Sequence, residues 1–302
     1  MLAKTKTTLA LSLLLAFALA LGACQPTPAP TAAPAAPAQP AQPAQPAQPA
    51  APVELKLRIG VTPVPHAEIV NFVKDNLAAK YGLTIEVVEF TDYVLPNVAL
   101  DDGTIDLNFF QHLPYLEDYN KEHGTSLLAI APVHIEPLGI YSNDLKSLDQ
   151  VPEGAQVAIP NDATNGGRAL ELLEYAGLLK LKEGSDFTAT VADIVENPKN
   201  LRIIELEAAQ LPRSLEDTDL AVINGNYALE ADLVPATDAL ALESVENNPY
   251  ANVLVVKSGR ENEPVIQLFK QLLNSQEVID FIEEKYQGSV IPAFRPTTVT
   301  PI

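Results

Sequence analysis

AQVAIPNDATNGGRALELL, Ala155 to Leu173, joins an apolar run to a helical pattern through a polar turn, and the fold follows from how these three pieces are read. Val157 and Ile159 alternate as a short buried strand. Asn161 to Gly167 reads as a loop, and Ala169, Leu170, Leu172 and Leu173 mark the core-facing side of a helix. A helix start leaves backbone N–H groups unpaired and carries partial positive charge, so it attracts an anion. Arg168, expected in the first turn or two, adds a planar fork matched to a carboxylate. The same residues also fit a plain surface ion pair between Arg168 and Glu171 or Glu174.

The chain upstream repeats this grammar. Leu55 to Val61 is a strand leading into the turn Thr62-Pro63-Val64-Pro65-His66, and Ile69, Val70, Phe72, Val73 and Leu77 space a helix that Tyr81-Gly82 stops. Ile85 to Phe90 is a second strand, Tyr93 to Leu100 a short helix, and Ile105 to Phe110 a third strand that runs into a helix at Gln111 to Tyr115. Leu127 to Ile135 is a fourth strand. This βαβα order predicts a mostly parallel sheet covered by helices.

After Glu136-Pro137 the rhythm breaks, and Leu138 to Tyr141 is expected to carry the chain into a second lobe. That lobe holds the Val157 strand, the Arg168 helix ending near Gly177, and strands at Thr188 to Val195, Ile203 to Leu206 and Asp219 to Ile223, with Ala208 to Leu215 helical. Tyr250 to Val256 is the return crossing, and helices at Val265 to Leu273 and Val278 to Tyr286 finish the fold. The expected division is lobe 1 at residues 53–136 plus 250–302 and lobe 2 at 137–249, with hinges near Glu136 to Leu138 and Pro249 to Val253. Ligands of open α/β sheets bind beyond the carboxyl ends of the strands. Here those ends are Thr62 to His66, Phe109 to Tyr115, Asn161 to Arg168 and Asn224 to Tyr227.

Residues 1–23 read as a signal peptide: Lys4 and Lys6, an apolar run from Leu9 to Leu21 too short to span a bilayer, then Leu21-Gly22-Ala23-Cys24. The pattern is that of a bacterial lipoprotein signal, with Cys24 the lipidated first residue of the exported chain and the membrane its anchor. Cys24 is the single cysteine, which excludes disulfides within the chain and a cysteine-based metal cluster. The rest of residues 24–52 is almost wholly Pro, Ala, Gln and Thr, a spacer that can extend on the order of 85 Å from the membrane at about 3.1 Å per residue. Without Lys4 and Lys6 the formal charge is 17 − 39 = −22, which argues against nucleic acid as a partner.

GVTPVPHAEIV, TDYVLPNVALDDG, NFFQHLPYLEDYN, HIEPLGIYS, IPNDATNGGRALELL and AVINGNYALEADL resemble, in order and spacing, the methionine-binding lipoproteins of the NlpA family. The likeness runs from about Leu55 to about Phe294 and omits the spacer. It implies the two-lobed type II periplasmic-binding-protein architecture, with two hinge crossings and an amino acid clamped in the cleft. It further implies the substrate-binding role of an ABC importer that delivers methionine or a close analogue to a permease, without a cofactor. Carried over by position, Arg168 holds the α-carboxylate and Asn224 a backbone polar group of the ligand, with Asn226 its neighbour. Tyr93, Phe110, His112 and Tyr115 line the side-chain pocket, with Phe109 beside them. This sequence has Val64 where the family commonly has glycine, and Gly166 where it commonly has a longer polar residue. Gly166 is expected to make the anion loop more flexible.

The residues themselves keep alternatives open. Phe109 and Phe110 lie on opposite faces of a strand, so at least one belongs to the core. His112 also suits a helix cap, and His66 a structural place at the first helix start. The ligand alternatives are another small amino acid or a short methionine-containing peptide. Catalysis finds no support: there is no G-x-S-x-G elbow, no H-E-x-x-H pair and no cysteine nucleophile, which disfavours a lipid-anchored hydrolase. A zinc receptor is disfavoured because His66, His112, His123 and His134 lie at no paired ligand spacing, so no metal site is expected. An adhesion or scaffold lipoprotein remains as the reading without a ligand.

Overall fold

The computed structural model describes residues 55–301; the signal, Cys24 and spacer expectations lie outside them. The chain builds two sheets in turn. In the first, β1 (Leu55–Val61), β2 (Leu83–Glu89), β3 (Leu107–His112) and β4 (Leu127–Ile135) alternate with α1 (Glu68–Asn76), α2 (Leu95–Asp101) and α3 (Leu113–His123). The second contains β5 (Gly139–Tyr141), β6 (Gln156–Pro160), β9 (Arg202–Leu206), β10 (Leu220–Ile223) and β11 (Ala241–Leu242). Between β6 and β9 lie α4 (Ala163–Tyr175) and a small pair, β7 (Lys180–Leu181) and β8 (Ile194–Glu196). Between β9 and β11 come α5 (Leu211–Ser214), α6 (Gly225–Glu230) and α7 (Pro235–Asp238). The chain then returns to the first sheet through β12 (Asn252–Lys257), α8 (Pro264–Leu273), α9 (Gln276–Tyr286) and β13 (Ile291–Pro292).

The first sheet has the order β13-β4-β12-β3-β1-β2 and the second β11-β5-β10-β6-β9. The expectation of a mostly parallel sheet needs one correction. β4 does not pair with β3, because the returning β12 inserts antiparallel between them and pairs with both. In the second sheet β6, β9 and β10 are parallel, and β5 is antiparallel to β10. The chain thus passes from one lobe to the other between Ile135 and Gly139 and returns between Leu242 and Asn252.

Period-two alternation fills both faces of each sheet. In β12, Leu254 and Val256 face the core shared with α1, α8 and α9, while Val253 and Val255 face α2 and α3. In β6 and β10, Val157, Ile159, Leu220 and Val222 pack with α4, whereas Ala158, Ala221 and Ile223 pack with α5 and α6. Covering both faces leaves the strand ends, where the two lobes meet, as the place for polar chemistry. The Thr188 to Val195 strand is shorter than expected: a helical turn occupies Val191–Asp193, capped by Thr190, and only Ile194–Glu196 pairs. Among the described residues no helix is long and apolar enough to cross a membrane.

Candidate ligand-binding site

α4 begins earlier than its sequence suggests. Asp162 caps it by accepting from the Asn165 N–H at 2.9 Å, so residues 163–167 are helix rather than loop and Arg168 stands in the second turn. Two glycines allow that helix to sit where it does. A Cβ on Gly166 would lie 2.9 Å from the Pro160 carbonyl oxygen, and one on Gly167 only 2.1 Å from that of Phe187. Gly166 therefore serves close packing inside a helix, which corrects the expectation of a flexible anion loop.

Arg168 is 4% exposed, and its guanidinium is held on one edge. Nε donates to Glu243 Oε1 at 2.8 Å, and Nη2 donates to Glu243 Oε2 at 2.6 Å and to the Glu136 carbonyl at 3.0 Å. The Tyr250 ring lies 4.2 Å below its Cζ. Burial pulls the guanidinium pKa down, but the Glu243 pair outweighs it and the net direction is up. The ion pair is thus with Glu243 rather than Glu171 or Glu174. It also claims the Nε–Nη2 edge, leaving Nη1 as the end without a hydrogen bond among the described residues.

Arg168 borders a cavity of about 340 Å³ counted to its mouth, lined from both lobes. Lobe 1 contributes Tyr93, Phe110, Gln111, His112 and Tyr115; lobe 2 contributes Asn165, Arg168, Asn224, Gly225 and Asn226; Glu136 and Asn252 stand at the crossings. Seven of the eight candidate residues meet there. Phe109 does not: it is fully buried in the core of lobe 1, its ring edge against His66 at 4.7 Å and near His134 at 5.2 Å. Alternation along β3 gives Phe110 to the cavity and Phe109 to the core.

The aromatic wall is tied together. Tyr93 lies 5.9 Å from both Phe110 and Tyr115, centroid to centroid, and the Tyr115 hydroxyl donates to the Tyr93 carbonyl at 2.9 Å. Burial raises both phenols far above their usual range, so they stay neutral. His112 has two functions at once. Its Nδ1 caps α3 by accepting from the Tyr115 N–H at 3.2 Å, which leaves the proton on Nε2, 3.1 Å from Asn165 Oδ1 across the cleft. Burial and the Arg168 charge lower its pKa to about 3, so the ring is neutral.

The amides are oriented by the same network. Asn165 Nδ2 donates to the Asp162 carboxylate, which turns Asn165 Oδ1 towards His112 and towards Asn224 Nδ2 at 2.9 Å. Asn224 Oδ1 is left buried without a partner. The Tyr93 hydroxyl donates to Asn226 Oδ1 at 2.5 Å, leaving Asn226 Nδ2 buried and unpartnered as well. One unpaired acceptor and one unpaired donor, in the same cavity as a guanidinium and a neutral aromatic wall, suit a small molecule with both charges at one end and an apolar tail.

Sequence reasoning missed Asn252, Glu136, Glu243 and Tyr250. Asn252 opens β12, and because β12 runs antiparallel, its first residue stands opposite His112 at the carboxyl end of β3. A search restricted to residues that follow strands passes over it. His66 and His134, unrelated in sequence spacing, converge with Glu136 so that one potential ligand atom of each lies within 4.8 Å of the others. His134 bonds Glu136 directly at 2.6 Å. His123 stays exposed in the last turn of α3, stacked on Tyr119 at 4.1 Å.

The family model of the NlpA lipoproteins matches residues 57–294. The probable D-methionine-binding lipoprotein MetQ of Vibrio cholerae is 44% identical over 236 residues, 78% of this chain and 87% of the relative. A nutrient-binding protein from Burkholderia cenocepacia, solved bound to methionine, superposes with a TM-score of 0.76 at 45% identity, covering 79% of this chain and all of that one. An ABC transporter periplasmic substrate-binding protein from Coxiella burnetii gives 0.75 at 41% identity, over 78% of this chain and all of that one. By the span and the strength of these matches, the chain belongs to the NlpA lipoprotein family.

Proposed function

We propose that this chain is the substrate-binding lipoprotein of an ABC importer, taking methionine or a close analogue into the interlobe cavity and handing it to a membrane permease. The observation that carries the reading is the polar end of the cavity: Arg168 Nη1, Asn226 Nδ2 and Asn224 Oδ1, two donors and an acceptor without partners, opposite rings that suit a polarizable thioether. The cavity residues act by binding and enclosure, and no chemistry is done on the ligand. Lobe 1 comprises 53–136 and 250–302 and lobe 2 137–249, hinged at the two crossings. Cys24 carries the lipid anchor, so the protein faces the periplasm or the cell exterior at the end of its spacer.

The test is calorimetric titration with L-methionine, D-methionine and Gly-Met, after unfolding and refolding to remove any bound ligand. Saturable binding of at least one is expected. Absence of heat with all three would leave the chain without this function.

A further inference from the structure

One buried carboxyl group beside the cavity has not yet been given a part in holding a ligand. Glu136, on the first crossing, lines the cavity and is 6% exposed. His134 Nε2 lies 2.6 Å and His66 Nε2 3.3 Å from its Oε1, and the Asn226 backbone N–H donates to the same carboxylate. The tautomers follow from the partners. His66 Nε2 faces two oxygens, Glu136 Oε1 and Asn252 Oδ1 at 3.0 Å, so it bears the proton and Nδ1 accepts from the Thr62 hydroxyl at 2.7 Å. His134 Nδ1 is buried without an acceptor, so its proton also belongs on Nε2, where a carboxylate oxygen receives it.

Glu136 thus has one imidazole donor, His134, and a backbone donor, while His66 Nε2 lies beside it and bonds Asn252. Burial holds His66 down to about 4 and His134 to about 3, so both rings are neutral and bring no compensating charge. A carboxylate offers about four lone-pair positions, and two are filled here. The nearby Arg168 charge is already matched by Glu243. What remains are open acceptor positions on a carboxyl group that lines the same cavity as Asn224, whose side-chain oxygen is unpaired.

We infer that Glu136, oriented by His134 and the Asn226 backbone N–H, is the residue that selects a ligand bearing an ammonium group next to its carboxylate, with Asn224 Oδ1 as the second acceptor. The inference rests on the amino-acid receptor reading above and names the group that makes the site specific for amino acids rather than carboxylic acids.

The experiment titrates the full chain and its Glu136→Gln variant with methionine and with the des-amino compound 4-(methylsulfanyl)butanoate. The wild type should prefer methionine by 100-fold or more. In Glu136→Gln that preference should shrink at least tenfold through weaker methionine binding, with the des-amino ligand bound as well as before or better. Equal weakening of both ligands, or an unchanged preference, overturns the inference while leaving the receptor reading intact. A wild type that binds neither defeats both. If Glu136→Gln does not fold, Glu136→Asp, which withdraws the charge by one methylene, must also narrow the preference, and an unaltered ratio there overturns the inference equally.

Discussion

Replacing Glu243 with glutamine isolates what the buried ion pair does for the site. Arg168 and Glu243 side chains are 5% and 14% exposed and meet through two hydrogen bonds of 2.6 and 2.8 Å. Removing one partner of such a pair strands the other charge, at a cost of about 3–5 kcal/mol. Glutamine keeps one carbonyl for the guanidinium, so about 2 kcal/mol is the expected loss. At about 2–4 °C per kcal/mol for a domain of this size, Tm of the ligand-free protein should fall by about 4–8 °C. The direction of the ligand effect is the sharper test. A ligand carboxylate at Nη1 supplies part of the missing negative charge, so Glu243→Gln should bind methionine more tightly and, at the same methionine concentration, gain more in Tm than the wild type. Differential scanning fluorimetry with and without saturating methionine measures both quantities. A Tm within 1–2 °C of wild type, or an equal ligand-induced rise in the two proteins, refutes the reasoning.

Arg168→Lys keeps the charge and loses the fork, so it cannot satisfy Glu243, the Glu136 carbonyl and a ligand at once; calorimetry should show methionine binding at least 100-fold weaker, and a loss under threefold contradicts the assignment. Gly167→Ala places a methyl group 2.1 Å from the Phe187 carbonyl oxygen and should cost about 1–3 kcal/mol, read as a lower urea midpoint. For pH, His66, His112 and His134 are depressed to about 4, 3 and 3 when folded, against about 6.5 unfolded. Between pH 6.5 and 4 the unfolded chain therefore holds more protons, and stability falls on acidification by about 1.4 kcal/mol per pH unit for each ring. Glu136, pushed upward by burial, opposes this by at most one such increment. Tm should be nearly flat from pH 8 to 7 and drop by several degrees by pH 5; a flat profile down to pH 5 contradicts buried neutral histidines.

Much of this was legible in the sequence because it is periodic. Leu170, Leu172 and Leu173 announce the buried side of α4, and the strand-end loops collect Tyr93, His112, Tyr115, Asn224 and Asn226 around one cavity. What escaped depends on direction and distance rather than pattern. Asn252 enters from the start of an antiparallel strand, a reversal that alternation alone does not reveal. Glu243 meets Arg168 across 75 residues from an irregular segment, where no spacing rule applies. Asn161 to Gly167 looked like a loop because two glycines and two asparagines depress helix propensity, and the Asp162 cap with close packing at Pro160 and Phe187 overrides that preference. Phe109 and Phe110 differ only in which face of β3 they take, a choice settled by the helices that cover each face.

On the proposed reading, the placement of Arg168 explains how occupancy of the cavity governs the arrangement of two lobes. Its guanidinium bonds the carbonyl of Glu136 on the outgoing crossing, the carboxylate of Glu243 where the return crossing begins, and stacks on Tyr250 where that crossing ends. The crossings are also joined directly, with the Glu243 N–H donating to the Leu138 carbonyl at 2.9 Å and the Leu138 N–H reaching Glu243 Oε2 at 3.3 Å. A ligand that bonds Nη1 therefore pulls on a group already fastened to both connections between the lobes. On the same reading its tail lies against Tyr93 and His112, which bond Asn226 and Asn165 across the cleft. Opening the lobes breaks those two cross-cleft bonds and separates the rings from the guanidinium, whereas the crossing contacts around Arg168 can persist. The ligand's differential affinity thus lies in contacts that exist only when the lobes are together, which is the condition for binding to favour closure.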